Sequence, residues 1–375
     1  MRCCDGEKPP EKLQATTMSL FHTSSILMLA VYAANVYLAY AAYMLIYRFF
    51  FHPLKHIPGP TLARATYLYE WYFDIYLSGQ FTFNLKELHK QYGPIIRINP
   101  DRVHIDDPDF IDKLYNQTNG RTDKTENDAE AFGPYPAAIG TRSHDHHRLR
   151  RSALSPFFSK KLVNELVDVM LRPIEILCNR LEEASETGET LNMRYVFAAV
   201  TLDIINDYCF AKEPEIVLKP DFGRKSFDDV DDFFAVSIVN VHWPWVMRLS
   251  NALPDSVNRF LAPAMADIFD FRMGLSRQVE DIRHGRDKSY KNAGHRTIFH
   301  ELLSSKLPPE EMERNRLRDE AFSMMTAGSG TTAYTLRATA YHVSANPAIR
   351  KRLHDELKAA IPDPSFPPSL TTLEK

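Results

Sequence analysis

One long apolar run opens the hydropathy pattern, over residues 26–47, with Asn35 as its one strongly polar member. About 22 residues of helix extend ~33 Å, enough to cross a bilayer core. The tyrosines in the run and Arg48 just after it suit a membrane interface. A cleaved signal peptide would have a shorter apolar region, closely preceded by a basic patch. The pattern therefore predicts a polar tail over 1–24 and an uncleaved anchor over 25–50. Arg48, His52, Lys55 and His56 follow the run, a bias that places the main domain in the cytoplasm. Pro58-Gly59-Pro60 then makes a stiff, non-helical joint within a hinge over 51–61.

Beyond the hinge the period changes to that of helices. Residues 82–92 read as a helix stopped by Gly93-Pro94. Two short strands follow, 95–98 and 102–105, turning at Asn99-Pro100-Asp101. A short helix is predicted over 108–115 and an irregular segment over 117–141. Helices are then expected at 160–186, 193–210, 226–241, 256–284, 297–305, 309–345 and 347–360. The fold class is mostly α with a small β element, in one domain over 62–375.

Composition narrows the function. The 375 residues carry a formal net charge of −3, which argues against general nucleic-acid binding. The four cysteines, Cys3, Cys4, Cys178 and Cys209, form no CxxC pair, so no zinc or thioredoxin signature is present. Cys178 and Cys209 read as buried core thiols. Cys3 and Cys4 read as part of a bland tail, with acylation as the alternative.

Two stretches break local rules. Ala327-Gly328-Ser329-Gly330-Thr331-Thr332 places two glycines inside the helix 309–345, each costing about 1 kcal/mol relative to Ala. Glycine lets another body approach the backbone, and threonine can bond the carbonyl four residues back. The second stretch runs from His144 to Arg151. His146 and Arg150 lie four apart, so they share one helix face and could grip an anion. A solvated basic face explains the same residues equally well.

These pieces, in this order, resemble the cytochrome P450 family of haem-thiolate monooxygenases, in a membrane-anchored fungal form. The carriers are the anchor with Pro58-Gly59-Pro60, Tyr92-Gly93-Pro94-Ile95-Ile96-Arg97-Ile98, the stretch from His146 to Ser159, and the Gly/Thr stretch. The resemblance implies that His146 and Arg150 hold a haem propionate. It implies that Ala327 and Gly328 let the planar haem lie flush against the helix. Thr331 would hold water or dioxygen and relay protons. A loop near Phe132 and helices near Phe233 and Trp245 would complete an apolar pocket. The partners implied are O2, a small lipophilic substrate of secondary metabolism, and electrons from NADPH through a reductase, at the endoplasmic reticulum membrane.

Two positions depart from the family pattern. Gly330 stands where an acidic residue usually precedes the threonine. The sequence stops at Lys375, before the family's Glu-x-x-Arg helix and the Cys-containing loop that ligates iron, and none of the four cysteines has the context of that loop. The expectation is thus a P450-like domain incomplete at its C-terminus, with no axial cysteine in residues 1–375. The alternative is a truncated, non-catalytic, membrane-anchored remnant with a binding or regulatory role.

Overall fold

The structure, a computed structural model, describes residues 11–115, 120–131, 133, 137–361 and 370–373. Cys3, Cys4 and Phe132 lie outside the described residues. The chain divides into two compact units, one ending at Asn119 and one beginning at Gly120.

The first unit starts with helix α1, Glu11–Ile46, which widens into a π-helical turn at Tyr47–Phe51. Leu27–Phe51 is long and apolar enough to cross a membrane, with a mean hydropathy of 1.6 and none of its apolar window buried. The His52 ring accepts the Leu54 N–H and caps a 3-10 turn, Pro53–His56. Helix α2, Phe81–Tyr92, ends at Gly93, whose φ of +93° is accessible to glycine at little cost. Strands β1, Ile95–Arg97, and β2, Val103–Ile105, pair antiparallel, with Ile96 opposite His104. The expected hairpin therefore forms.

The proline joint is packed against that hairpin. Arg97 N–H donates to the Pro58 carbonyl at 2.7 Å. A Cβ on Gly59 would lie 2.3 Å from the Arg97 carbonyl oxygen, so only glycine fits. The Arg97 side chain is fully buried and donates to the carbonyls of Pro100, at 2.7 Å, and Arg48, at 3.1 Å. Those carbonyls satisfy the guanidinium donors that burial removes from water.

The second unit is helical. Its long helices are α3 His144–Leu154, α4 Val167–Thr187, α5 Met193–Phe210, α6 Arg224–His242, α7 Pro244–Ala252, α8 Ala266–Arg283, α9 Arg314–Ala345 and α10 Pro347–Ala360. Helix α9 runs beside α5 and α8, and the core between them includes Leu275, Leu317, Phe322 and Met325. Phe210 of α5 stacks on Phe299 of the short helix Ile298–Leu303, with ring centroids 4.7 Å apart.

Several boundaries differ from expectation, each for a local reason. The predicted helix 256–284 is broken into Asp255–Leu261, a 3-10 turn Pro263–Met265, and α8. Pro263 lacks an N–H and drives Ala262 out of the helical region, to φ −133°. The predicted helix 160–186 is two helices, Lys160–Asn164 and α4, separated at Glu165 and Leu166. The segment 117–141, expected to be irregular, contains a short helix, Glu126–Glu130, capped by the Thr125 hydroxyl. Arg248 of α7 clamps that helix by bonding Glu130 at 2.8 Å. Cys209 is fully buried, as expected, but Cys178 is exposed. Leu177 takes the inward position on α4, and the next residue is turned about 100° away.

Candidate functional site

Helix α9 passes through its glycines without interruption. Its hydroxyls bond backward along the helix: Thr326 to Phe322, Ser329 to Met325, and Thr331 to Ala327, at 2.8, 2.7 and 2.9 Å. Thr201 of α5 donates a further bond to the Ser329 carbonyl at 3.1 Å. The two glycines do different things. A Cβ on Gly328 would lie 3.1 Å from Ile205 Cγ1, so this glycine seats α5 closely against α9. A Cβ on Gly330 would meet nothing within 4 Å.

One face of α9 presents Glu320, Met324, Ala327 and Gly328 to a cavity of about 350 Å3. Thr331 is one turn beyond Ala327 on the same stripe and is exposed. Its hydroxyl proton is directed at the Ala327 carbonyl, which leaves the oxygen lone pairs to accept. The opposite wall comes from α3 and what flanks it: His147, Arg151, Leu154, Phe158, Lys124 and Ile139. Lys124 Nζ donates to the Ile139 carbonyl at 2.6 Å, and burial pushes its pKa down. Burial lowers the pKa of His147, and the charges of Lys124, Arg151 and His144 lower it further. A lysine, an arginine and a histidine thus face one cavity, and among the described residues none of them pairs with a carboxylate.

His146 and Arg150 do share a helix face, but that face is turned to Glu311 and not to the cavity. His146 Nε2 lies 2.5 Å from Glu311 Oε1, and Arg150 Nε donates to Glu311 Oε2 at 2.7 Å. Arg150 also donates to the Thr141 hydroxyl at 2.8 Å. Burial pushes the Glu311 carboxyl up. The bonds from Arg150 and His146, with the charges of Arg150 and Arg316, more than offset this and hold it below the usual carboxylate range. Arg316, almost fully buried, lies 3.3 Å from Glu311 and 3.0 Å from Glu320. Ala138 N–H donates to Glu320 Oε2 at 3.0 Å. This buried cluster ties α3 to the turn Pro309–Met312 and to the start of α9.

The sequence thus holds two overlapping pairs with the same spacing, His146 with Arg150 and His147 with Arg151. One residue turns a helix by about 100°, so the two pairs face different surroundings. Spacing cannot choose between them; the bonds of His146 and Arg150 to Glu311 do. Lys124 carried no sequence signal at all, because it sits in a polar loop some twenty residues upstream.

The expected pocket residues divide as well. Phe233 is buried edge-on against Phe322, with ring centroids 5.4 Å apart, and Trp245 is 59% exposed. Aromatic lining is supplied instead by Phe227, Phe234 and Phe271, at a second cavity of about 450 Å3 on another face of α9.

The first cavity suits the edge and one face of a haem. Lys124 and Arg151, without carboxylate partners, match its two propionates, and the His147 ring N–H can add a hydrogen bond. Ala327 and Gly328 carry too little side chain to hold a flat ring away from the helix. Neither described cysteine lines this cavity: Cys178 is exposed on α4, and burial drives the Cys209 thiol pKa well up.

Comparison with known proteins agrees with the fold and the motifs. The family model for Cytochrome P450 matches residues 60–375. The cytochrome P450 monooxygenase tpcC of Cochliobolus heterostrophus is 41% identical over 89% of this chain and 64% of its own length. Cytochrome P450 monooxygenase MO6277 of Ascocoryne sarcoides is 36% identical over 91% of this chain and 68% of its own length. Tryptophan 6-hydroxylase fscE of Fusarium equiseti is 33% identical over 88% and 64%. The chain therefore spans about two thirds of the length of these relatives. With the helical fold, the glycine-bearing α9 and a family match over most of its residues, the chain belongs to the cytochrome P450 family.

Proposed function

We propose that this chain carries the oxygen-activating half of a haem-dependent monooxygenase that inserts one atom of O2 into a small lipophilic substrate. The observation that carries the reading is the convergence of His147, Arg151 and Lys124 with Ala327 and Gly328 on one cavity. Lys124 and Arg151 hold the propionates by charge-assisted bonds, and His147 adds a ring N–H. Ala327 and Gly328 form the flat wall against which the ring lies. Haem, when bound, supplies the activation of dioxygen. The Thr331 oxygen, with its own proton directed to the Ala327 carbonyl, accepts a hydrogen bond from water and holds that water near the haem-facing wall. Gly330 contributes no acid, so protons reach Thr331 through ordered water or the substrate. Electrons come from NADPH through a reductase. The segment Leu27–Phe51 anchors the protein in the endoplasmic reticulum membrane with its main domain in the cytoplasm. We take the substrate to belong to fungal secondary metabolism, a reading supported by the similarity to fungal monooxygenases.

Two measurements test this. Haem titrated into the full chain is expected to bind with a change in its Soret absorption. The double variant His147→Gln/Arg151→Gln should weaken that binding by roughly tenfold or more. Equal binding by the variant overturns the propionate assignment. For the reaction, a form of the protein that carries the axial cysteine, incubated with haem, reductase, NADPH and labelled O2, should place one labelled oxygen in product and the other in water. Product oxygen drawn from water overturns the monooxygenase reading.

A further inference from the structure

The second cavity, of about 450 Å3, is bounded by α5, α6, α8 and α9. Its volume is that of a small-molecule site. Its walls are apolar and aromatic, with Leu202, Val230, Phe227, Phe234 and Phe271 among them. It opens on α9 through Thr326, Ser329, Gly330 and Ala333, a different face from Ala327 and Gly328.

Six charged side chains reach this cavity, three of each sign, and their pairing leaves Lys219 and Arg337 without a carboxylate partner. Arg194 pairs with Asp231, and with Asp228 at 3.1 Å. Asp267 pairs with Lys225. Asp229 hydrogen-bonds Asp267, and burial together with that bond raises its pKa. Its Oδ2 is buried and has no hydrogen-bond partner. The remaining two are Lys219 and Arg337, both half-buried. Among the described residues neither meets a carboxylate; Arg337 lies 5.1 Å from the centre of the Tyr334 ring. An apolar cavity with two unopposed cations selects a ligand that is flat and apolar at one end and anionic at the other.

We propose that this cavity binds a small aromatic carboxylate, with its ring against Phe227, Phe234 and Phe271 and its carboxylate against Lys219 and Arg337. The site is separate from the haem-facing wall, so the inference goes beyond the oxygenation reading and does not rest on it. An occupant touches Ser329 and Gly330, the two residues preceding Thr331, and so braces the turn that holds the threonine.

The test is equilibrium dialysis of 1-naphthylacetate against the full chain in detergent. Saturable binding at one site per chain is expected. The neutral 1-naphthylacetamide should bind roughly tenfold or more weakly, and Lys219→Gln/Arg337→Gln should lose a similar factor for the acid. Gly330→Leu should abolish binding by filling the cavity, since a side chain there starts in open space. Each variant is checked for unchanged helical circular dichroism. No saturable binding by the parent chain overturns the proposal. So does equal affinity for acid and amide, equal affinity of the doubly substituted chain, or undiminished binding by Gly330→Leu.

Discussion

Arg150 Nε donates to Glu311 Oε2 at 2.7 Å, and through this bond the basic helix α3 is tied to the turn that precedes α9. The pair is close to dry, with the Glu311 side chain 3% exposed and that of Arg150 11%. Removing one partner of a buried ion pair leaves the other charge uncompensated, which costs far more than the intact pair contributes. Glu311→Ala strands Arg150 and Arg316 together. It is expected to destabilise the unit by roughly 3 kcal/mol, read as a lower urea midpoint by tryptophan fluorescence. A midpoint within experimental error of wild type would show that the cluster is structurally idle.

The same carboxyl fixes a pH dependence. Its pKa in the fold lies below the ordinary glutamate range, with the hydrogen bonds of Arg150 and His146 overcoming the effect of burial. The stabilisation is therefore complete above the unfolded value. It is lost as pH falls through the lower folded value. Glu311→Gln should flatten the acid limb of the stability profile. An unchanged limb assigns the acid sensitivity to other carboxylates.

The two glycines of α9 predict opposite behaviour. Gly330→Ala adds a methyl in open space and removes a flexible residue from a helix, so it should stabilise by about 0.5–1 kcal/mol. Gly328→Ala gains the same propensity, but its methyl must displace Ile205 from 3.1 Å. It should fall at least about 1 kcal/mol below Gly330→Ala in thermal unfolding. Equal melting of the two variants would mean that α5 shifts freely.

These glycines also mark what the sequence could and could not reveal. A helix with two interior glycines announced that something lies close by, but not that Gly328 meets Ile205 while Gly330 faces a void. The side of the helix that each glycine faces depends on which other helices pack there. The long helices were legible because their apolar positions recur over several turns. The break at Pro263 was equally available to reasoning about proline, yet the apolar pattern on both sides concealed it. The choice between His146 with Arg150 and His147 with Arg151 was not available, because both satisfy the same spacing. It follows from Glu311, which is over 160 residues away in sequence.

Gly59 makes a sharper case. Its added Cβ would lie 2.3 Å from the Arg97 carbonyl oxygen, an atom of the strand itself. Relief requires moving β1 away, which breaks the 2.7 Å bond from Arg97 N–H to Pro58. Gly59→Ala should cost roughly 3 kcal/mol or more in the first unit. Faster amide hydrogen exchange across Ile95–Arg97 and Val103–Ile105 would report it. Unaltered protection there would show that the joint can leave the hairpin without consequence.

A histidine pair joins α2 to the hairpin. His89 Nε2 lies 2.7 Å from His104 Nδ1, and His89 Nδ1 lies 2.7 Å from the Gly93 carbonyl. A carbonyl only accepts, so His89 Nδ1 carries a proton, and the neutral ring then accepts at Nε2 from His104. Protonating both rings places two positive charges side by side. Burial lowers the His104 pKa, the charge of His89 lowers it further, and Asp106 offsets only part of this. A histidine whose folded pKa is depressed favours the fold when neutral. Its contribution is full above the ordinary histidine value, near 6.5, and falls as pH drops below it toward the folded value. Amide protection across the hairpin should therefore weaken between about pH 8 and about pH 5. His104→Val keeps strand propensity and removes the titration, so it should lose most of that dependence. Persistence of the full loss in the variant would assign the effect to another group.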